Sequence, residues 1–235
     1  ALDKDSAQPP PPREFGWENR RVTERPIQWS ADGKKILVVS KGDVFLWDEA
    51  SSKAEALIRT VARERDPKLS PDGTKVGFRR DHELYVLDIA SKKETRLTHD
   101  ATSTLWNGEL DWVYPEELDL GTAWWSSPDS KSIAYMQFDV SREPLYPQGD
   151  HLKIDAVVEP QRYPKAGAPN ADVRLGVVAA AGGLTRWMDL GETREFLLAR
   201  VNWTPDSKRL IAHRLNRIQN HLWILAADVS TGKSS

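Results

Sequence analysis

The chain contains no cysteine and only two methionines in 235 residues. It therefore has no disulfide framework, no thiolate metal ligand and no thiol nucleophile. The absence of cysteine fits a bacterial protein exported without disulfide staples, so a periplasmic or secreted setting is the expectation. Neither sign of charge is in excess: 33 basic residues stand against 35 acidic ones, for a formal net charge of −2. A dedicated nucleic-acid binder needs a basic surplus, and no nucleic-acid partner is expected. Long apolar runs are missing too. The longest, Leu175 to Leu184, is about half of a membrane span, so no membrane-spanning segment is expected. The histidines at 82, 99, 151, 213 and 221 show no metal-ligand spacing. There is no Gly-x-Ser-x-Gly elbow, no P-loop and no dinucleotide fingerprint. No metal, no cofactor and no catalytic nucleophile is expected within these residues.

What the chain does have is tryptophan and a repeat. Ten tryptophans are many for this length and indicate packing between sheets or an aromatic-lined cavity. Residues 1–15 include four consecutive prolines, Pro9 to Pro12, and read as a disordered, Pro-rich arm. Beyond it, Trp29-Ser30-Ala31-Asp32-Gly33 recurs as Leu69-Ser70-Pro71-Asp72-Gly73, Ser126-Ser127-Pro128-Asp129-Ser130 and Trp203-Thr204-Pro205-Asp206-Ser207. In the last three copies Pro presets φ, in all four Asp bonds back to the backbone, and in the first two Gly can take a positive φ. An alternating apolar strand follows, and in three places so does a second hairpin strand, at Val44–Asp48, Leu84–Asp88 and Leu222–Leu225. The turn aspartates are spaced near 40 residues at first, the period of a four-stranded propeller blade. Two later intervals are longer because of insertions over 100–122 and 139–172. The expected fold is all-β: a partial β-propeller of four-stranded antiparallel blades, about four to five of them over residues 16–235, with a short inserted helix.

The helix belongs to the first insertion, Asp111-Trp112-Val113-Tyr114-Pro115-Glu116-Glu117. Pro115 fits the first helical position, and Glu116 and Glu117 then complement the helix dipole. Most such triplets are helix starts with solvated acids. Two adjacent acids on a rigid scaffold are equally a receptor for a cation that sits between them.

Asp111-Trp112-Val113-Tyr114-x-Glu116-Glu117 does not stand alone. Trp124-Trp125-Ser126, Ala134-Tyr135-Met136-Gln137-Phe138, Tyr163-Pro164-Lys165-Ala166-Gly167-Ala168 and Arg217-Ile218-Gln219-Asn220 follow it in order. Together they resemble the N-terminal propeller of the dipeptidyl peptidase IV family, within the prolyl oligopeptidase superfamily of serine peptidases. The resemblance covers roughly residues 95–222. It implies that Glu116 and Glu117 hold the free amino terminus of a peptide substrate, and that Phe138, Arg142 and Tyr114 border the substrate channel. It further implies a serine exopeptidase that removes N-terminal dipeptides, preferably Xaa-Pro or Xaa-Ala, with its triad in a C-terminal α/β-hydrolase domain absent from this chain. Propellers of that family have eight blades, so these residues are expected to be part of a longer polypeptide. A homodimer is implied as well, with its surfaces largely outside this segment. One departure stands out. The family's carbonyl-anchoring arginine, from an early blade, has no counterpart between Trp29 and Asp48, and the flanks of Arg79 and Arg80 do not match. The rival readings are a non-catalytic propeller scaffold that docks proteins and a catalytically dead relative.

Overall fold

The computed structural model describes residues 26–150, 157–191 and 195–235. The Pro-rich arm of residues 1–15 and His151 lie outside them. The described chain is almost entirely antiparallel β, in four successive sheets. The first sheet is β1 (Ile27–Trp29), β2 (Lys35–Ser40), β3 (Asp43–Asp48) and β4 (Lys53–Ile58). The second is β5 (Arg65–Leu69), β6 (Lys75–Arg80), β7 (Glu83–Asp88) and β8 (Glu94–Arg96). The third holds β9 (Leu105–Asn107), then after the helix α1 (Val113–Leu118) the strands β10 (Trp124–Ser126) and β11 (Ser132–Asp139). A two-stranded hairpin, β12 (Leu145–Asp150) and β13 (Val157–Arg162), projects from it before β14 (Asp172–Ala179) and β15 (Arg186–Trp187) complete the sheet. The fourth is β16 (Phe196–Trp203), β17 (Arg209–Asn216) and β18 (Leu222–Asp228). These are the expected blades, with two differences: the third has five strands, because β9 adds to the edge of β11, and three strands of the fourth are described.

The four repeat turns share one geometry. Ser30, Ser70, Ser127 and Thr204 each donate a 2.6 Å hydroxyl bond to the aspartate two residues on. Each also takes the N–H of the residue five positions on, at 2.9–3.0 Å. The hydroxyl bonds are the first cause that holds the carboxyls of Asp32, Asp129 and Asp206 below their ordinary range. Position four of the turn has positive φ whether it is Gly33 and Gly73 or Ser130 and Ser207. Serine there costs about 1–2 kcal/mol in backbone sterics, and it has a use. The Asp72 N–H donates to Ser130 Oγ at 3.0 Å, and the Asp129 N–H to Ser207 Oγ at 3.1 Å. Each serine therefore accepts a bond from the preceding sheet.

Strand alternation distributes the core. Leu37, Val44 and Leu46 of the first sheet meet Val76, Phe78 and Leu87 of the second. The other face of β7, Leu84 and Val86, packs on Trp124, Ile133, Tyr135 and Val178 of the third. The opposite face of β11, Ala134, Met136 and Phe138, joins Leu197, Leu198, Leu210 and Ala212 of the fourth, with Val113 and Tyr114 of α1. Every inter-sheet layer is thus between sequence neighbours, as stacking of blades requires.

Candidate functional site around the acidic helix

Helix α1 is a single short element, so tertiary contacts must hold it. Trp112, its N-cap, gives no side-chain cap bond. Asp111 substitutes: its Oδ1 accepts the Tyr114 N–H at 3.1 Å. Pro115 is the third helical residue rather than the first. It is tolerated there because the N–H it lacks would have had no intrahelical acceptor. Asp119 closes the helix in a left-handed conformation at φ 53°, with its N–H on the Tyr114 carbonyl. Arg200 of β16 reaches the Leu118 carbonyl at 2.8 Å.

Tyr114 is the deep anchor. It is 1% exposed, its ring meets Phe138 edge-on at 4.8 Å, and its hydroxyl accepts the Leu198 N–H at 3.0 Å. Burial, and then the nearby Asp111, push its phenol well above the usual range. Phe138 is 0% exposed. Neither residue has a surface to offer a channel, so the rim expectation for Tyr114 and Phe138 gives way to a core role. The reason is architectural: a sheet between two others is covered on both faces. Arg142 is exposed and lies 3.6 Å from Asp172, in a shallow depression with Asn170 and Arg217. Glu116 is half-buried and Glu117 exposed, on the turn of α1 that follows Asp111.

A cavity of about 580 Å³ adjoins the helix. From α1 and its approach it receives Asp111, Trp112 and Pro115; Glu116 and Glu117 stand beyond its wall. The remaining wall is rich in charge. Arg79 of β6 pairs with Glu109 at 2.6 Å, and the same carboxylate takes His82 Nδ1 at 2.8 Å. The Glu109 bond, foremost, raises the His82 imidazole above its ordinary pKa, and the ring stacks on Trp106 at 5.2 Å. Arg65, Asp66, Arg162 and the buried Glu143 complete the wall's charges. Asp111 and Glu143 come from segments far apart in sequence, line the same wall, and are near enough for each to shift the other's ionisation. Sequence reasoning linked neither Arg79 to Glu109 nor Asp111 to Glu143; no local pattern links residues some thirty positions apart.

The other sequence motifs brace this region. Tyr163, from the Tyr163–Ala168 loop, meets the Trp112 ring edge-on at 4.4 Å. Arg217 donates to the Ala168 carbonyl, joining the two last motifs. Lys165 sits over the Tyr146 ring at 4.3 Å and is otherwise exposed. Among the described residues no group of three or more acids and histidines is arranged for a metal ion, and no helix is long and apolar enough to cross a membrane.

Comparison with known proteins agrees with the fold. Residues 30–235 match the model of the dipeptidyl peptidase IV N-terminal region. "Probable dipeptidyl-aminopeptidase B" of Phaeosphaeria nodorum is 30% identical over 87% of the chain and 26% of its own length. Dipeptidyl aminopeptidase B of Saccharomyces cerevisiae is 28% identical over 84% of the chain and 26% of its own length. The crystal structure of Porphyromonas gingivalis dipeptidyl peptidase 4 superposes with a TM-score of 0.80 at 25% identity, over 92% of this chain and 33% of that one. The chain thus spans about a quarter to a third of the length of these relatives. With a match over residues 30–235, sheets stacked as blades and an inserted acidic helix, the chain belongs to the dipeptidyl peptidase IV family, as its N-terminal region.

Proposed function

We propose that this chain is the substrate-binding propeller portion of a serine exopeptidase that removes N-terminal dipeptides, with Glu116 and Glu117 as the receptor for the substrate's free α-ammonium. The observation that carries the reading is the braced helix. A six-residue element bearing two adjacent acids is held by Asp111, Tyr114 and Arg200 at the edge of a 580 Å³ cavity. A protonated amine offers three donors, and two carboxylates with a neighbour accept them in short, charge-assisted bonds. An acylated terminus carries no charge and forfeits these charge-assisted bonds. The pair then measures two residues back from the scissile bond, which makes the activity a dipeptide release. Xaa-Pro and Xaa-Ala are the preferred leaving dipeptides, and the triad lies in a C-terminal hydrolase domain that accompanies this region. A homodimer, and a bacterial periplasmic or secreted setting, belong to the same proposal. The lack of cysteine is compatible with that setting, and the two curated relatives above are fungal.

The test is kinetic. In the full-length protein, Glu116→Ala and Glu117→Ala each lower kcat/KM on a Gly-Pro-anilide at least tenfold, about 1.4 kcal/mol or more. The wild type leaves the N-acetylated anilide uncut. Wild-type kinetics in both variants would remove the pair from substrate binding.

A further inference from the structure

Asp111 and Glu143 are not used by the reading above. Asp111 precedes α1; Glu143 lies in the turn between β11 and β12. They are 4% and 3% exposed and both line the cavity wall. Each has one oxygen engaged by backbone: Asp111 Oδ1 by the Tyr114 N–H at 3.1 Å, Glu143 Oε1 by the Ala171 N–H at 3.2 Å. The other oxygens, Oδ2 and Oε2, are buried and have no donor among the described residues. The two carboxyl groups share one wall of the cavity, each with an unpartnered oxygen, and each shifts the other's ionisation. If both were ionised, they would be two acceptors and two like charges in a site largely closed to water.

Of the charged neighbours, Arg162 favours the ionised form of Glu143, but it is the last and smallest cause, behind burial and Asp111. Arg162 of β13 spends Nη1 on the carbonyls of Val140 and Glu143, at 2.7 and 2.8 Å. The Tyr114 hydroxyl faces Leu198. Across the cavity Arg79 is matched by Glu109, while Arg65 and Asp66 contribute one charge of each sign.

We propose that Asp111 and Glu143 share one proton, and that this carboxyl–carboxylate contact ties the start of α1 to the β11–β12 turn and so aims Glu116 and Glu117. Both acids are positioning residues; neither touches the peptide. The inference rests on the reading of the Glu pair as the amine receptor. Burial pushes the Asp111 carboxyl up to about 6 against the opposing pull of Glu143, and burial, then the Asp111 charge, push Glu143 up to about 8, so the proton is held at neutral pH. Because these folded values lie above the ordinary carboxylate range near 4, the pair's contribution to stability is complete below that range. It is lost as pH rises through about 8. Deprotonation leaves two buried like charges, which part and release the first turn of the helix.

The experiment compares the full-length protein with its Glu143→Gln variant, in which the amide donates to Asp111 without needing a proton. The midpoint of thermal unfolding is followed from about pH 5 to pH 9. The wild-type midpoint falls relative to the variant as pH rises, and the two differ by at least about 3 °C at the alkaline end. KM for Gly-Pro-anilide is measured over the same range. Because the substrate amine itself titrates near 8, the ratio of wild-type to variant KM is the quantity read. It rises at least threefold between pH 7 and pH 9, with kcat unchanged. Parallel midpoint curves would overturn the shared proton. So would a wild-type midpoint that responds to added divalent cation and chelator, since the free oxygens would then belong to a cation. Diverging midpoint curves with a flat KM ratio would overturn the positioning role. If the midpoint curves diverge but Glu116→Ala and Glu117→Ala keep wild-type KM, the proton stands and the amine-receptor reading fails.

Discussion

Replacing Tyr114 by phenylalanine isolates one hydrogen bond between the acidic helix and the body of the protein. The ring, its burial and its edge-on contact with Phe138 at 4.8 Å all survive the change. What disappears is the acceptor for the Leu198 N–H, 3.0 Å away in a strand whose register shifts between Leu198 and Arg200. Leu198 is 0% exposed, so water cannot take over. A buried donor left without a partner costs about 1–3 kcal/mol. In a chain of this size each kcal/mol moves the thermal midpoint by about 2–4 °C. Tyr114→Ala adds the loss of a buried aromatic ring, about 3–5 kcal/mol, and of the ring pair, about 0.5–1.5 kcal/mol. Urea unfolding followed by tryptophan fluorescence gives both values, and amide exchange at Leu198 reports the bond directly. The expected result is a lower midpoint for Tyr114→Phe at unchanged m, with faster exchange at Leu198. A variant within about 0.5 kcal/mol of wild type that still protects the Leu198 amide would refute the reasoning.

Three further outcomes are expected. A Cβ on Gly77 would lie 2.6 Å from Cη2 of the buried Trp124 ring. Gly77→Ala therefore costs about 1–3 kcal/mol by overpacking, and a double-mutant cycle with Trp124→Leu shows that penalty shrinking toward zero. At Ser130, alanine keeps the positive-φ cost and loses the bond from Asp72, whereas glycine loses the bond and relieves the cost. Ser130→Ala is thus less stable than Ser130→Gly by about 1–2 kcal/mol in denaturant unfolding; equal stabilities would remove the accounting. Glu109→Gln lowers the His82 pKa toward about 6.5, read from ring-carbon shifts by NMR. With the folded value raised, the imidazolium's contribution is present below about 6.5 and fades as pH rises past the folded value; an unmoved His82 titration in the variant refutes it.

The turns were the most legible part of this fold. Ser-x-Asp or Thr-x-Asp followed by Gly or Ser is a local device that lies within six residues, and the sheets followed from its period. Strand β9 escaped notice because Leu105–Asn107 is three residues long and pairs with β11 some thirty positions later. The rim assignment of Phe138 failed for a reason that alternation alone could have exposed: Phe138 shares a face of β11 with Ala134 and Met136, small and apolar neighbours suited to a core. Gln137, on the opposite face, is the polar one, bonded to Asp100 and Asn107 at 2.9 and 3.0 Å. The site was legible only in its helix. Arg79 and Glu109 are brought together by the stacking of the second sheet on the third, Asp111 and Glu143 by two connections of the third sheet, and nothing adjacent to them in sequence announces a partner.

The serine that ties one turn to the preceding sheet also sets a schedule for the growing chain. Asp72 waits for an acceptor 58 residues downstream and Asp129 for one 78 residues downstream. At translation rates of about 5–20 residues per second, each turn stands incomplete for roughly 3–16 s after its own strands have emerged. During that interval the exposed face and edge of the latest blade are open to mispairing. The hydroxyl bond from Ser70 or Ser127 to its own aspartate, which needs no later residue, keeps the turn in shape until the next blade arrives.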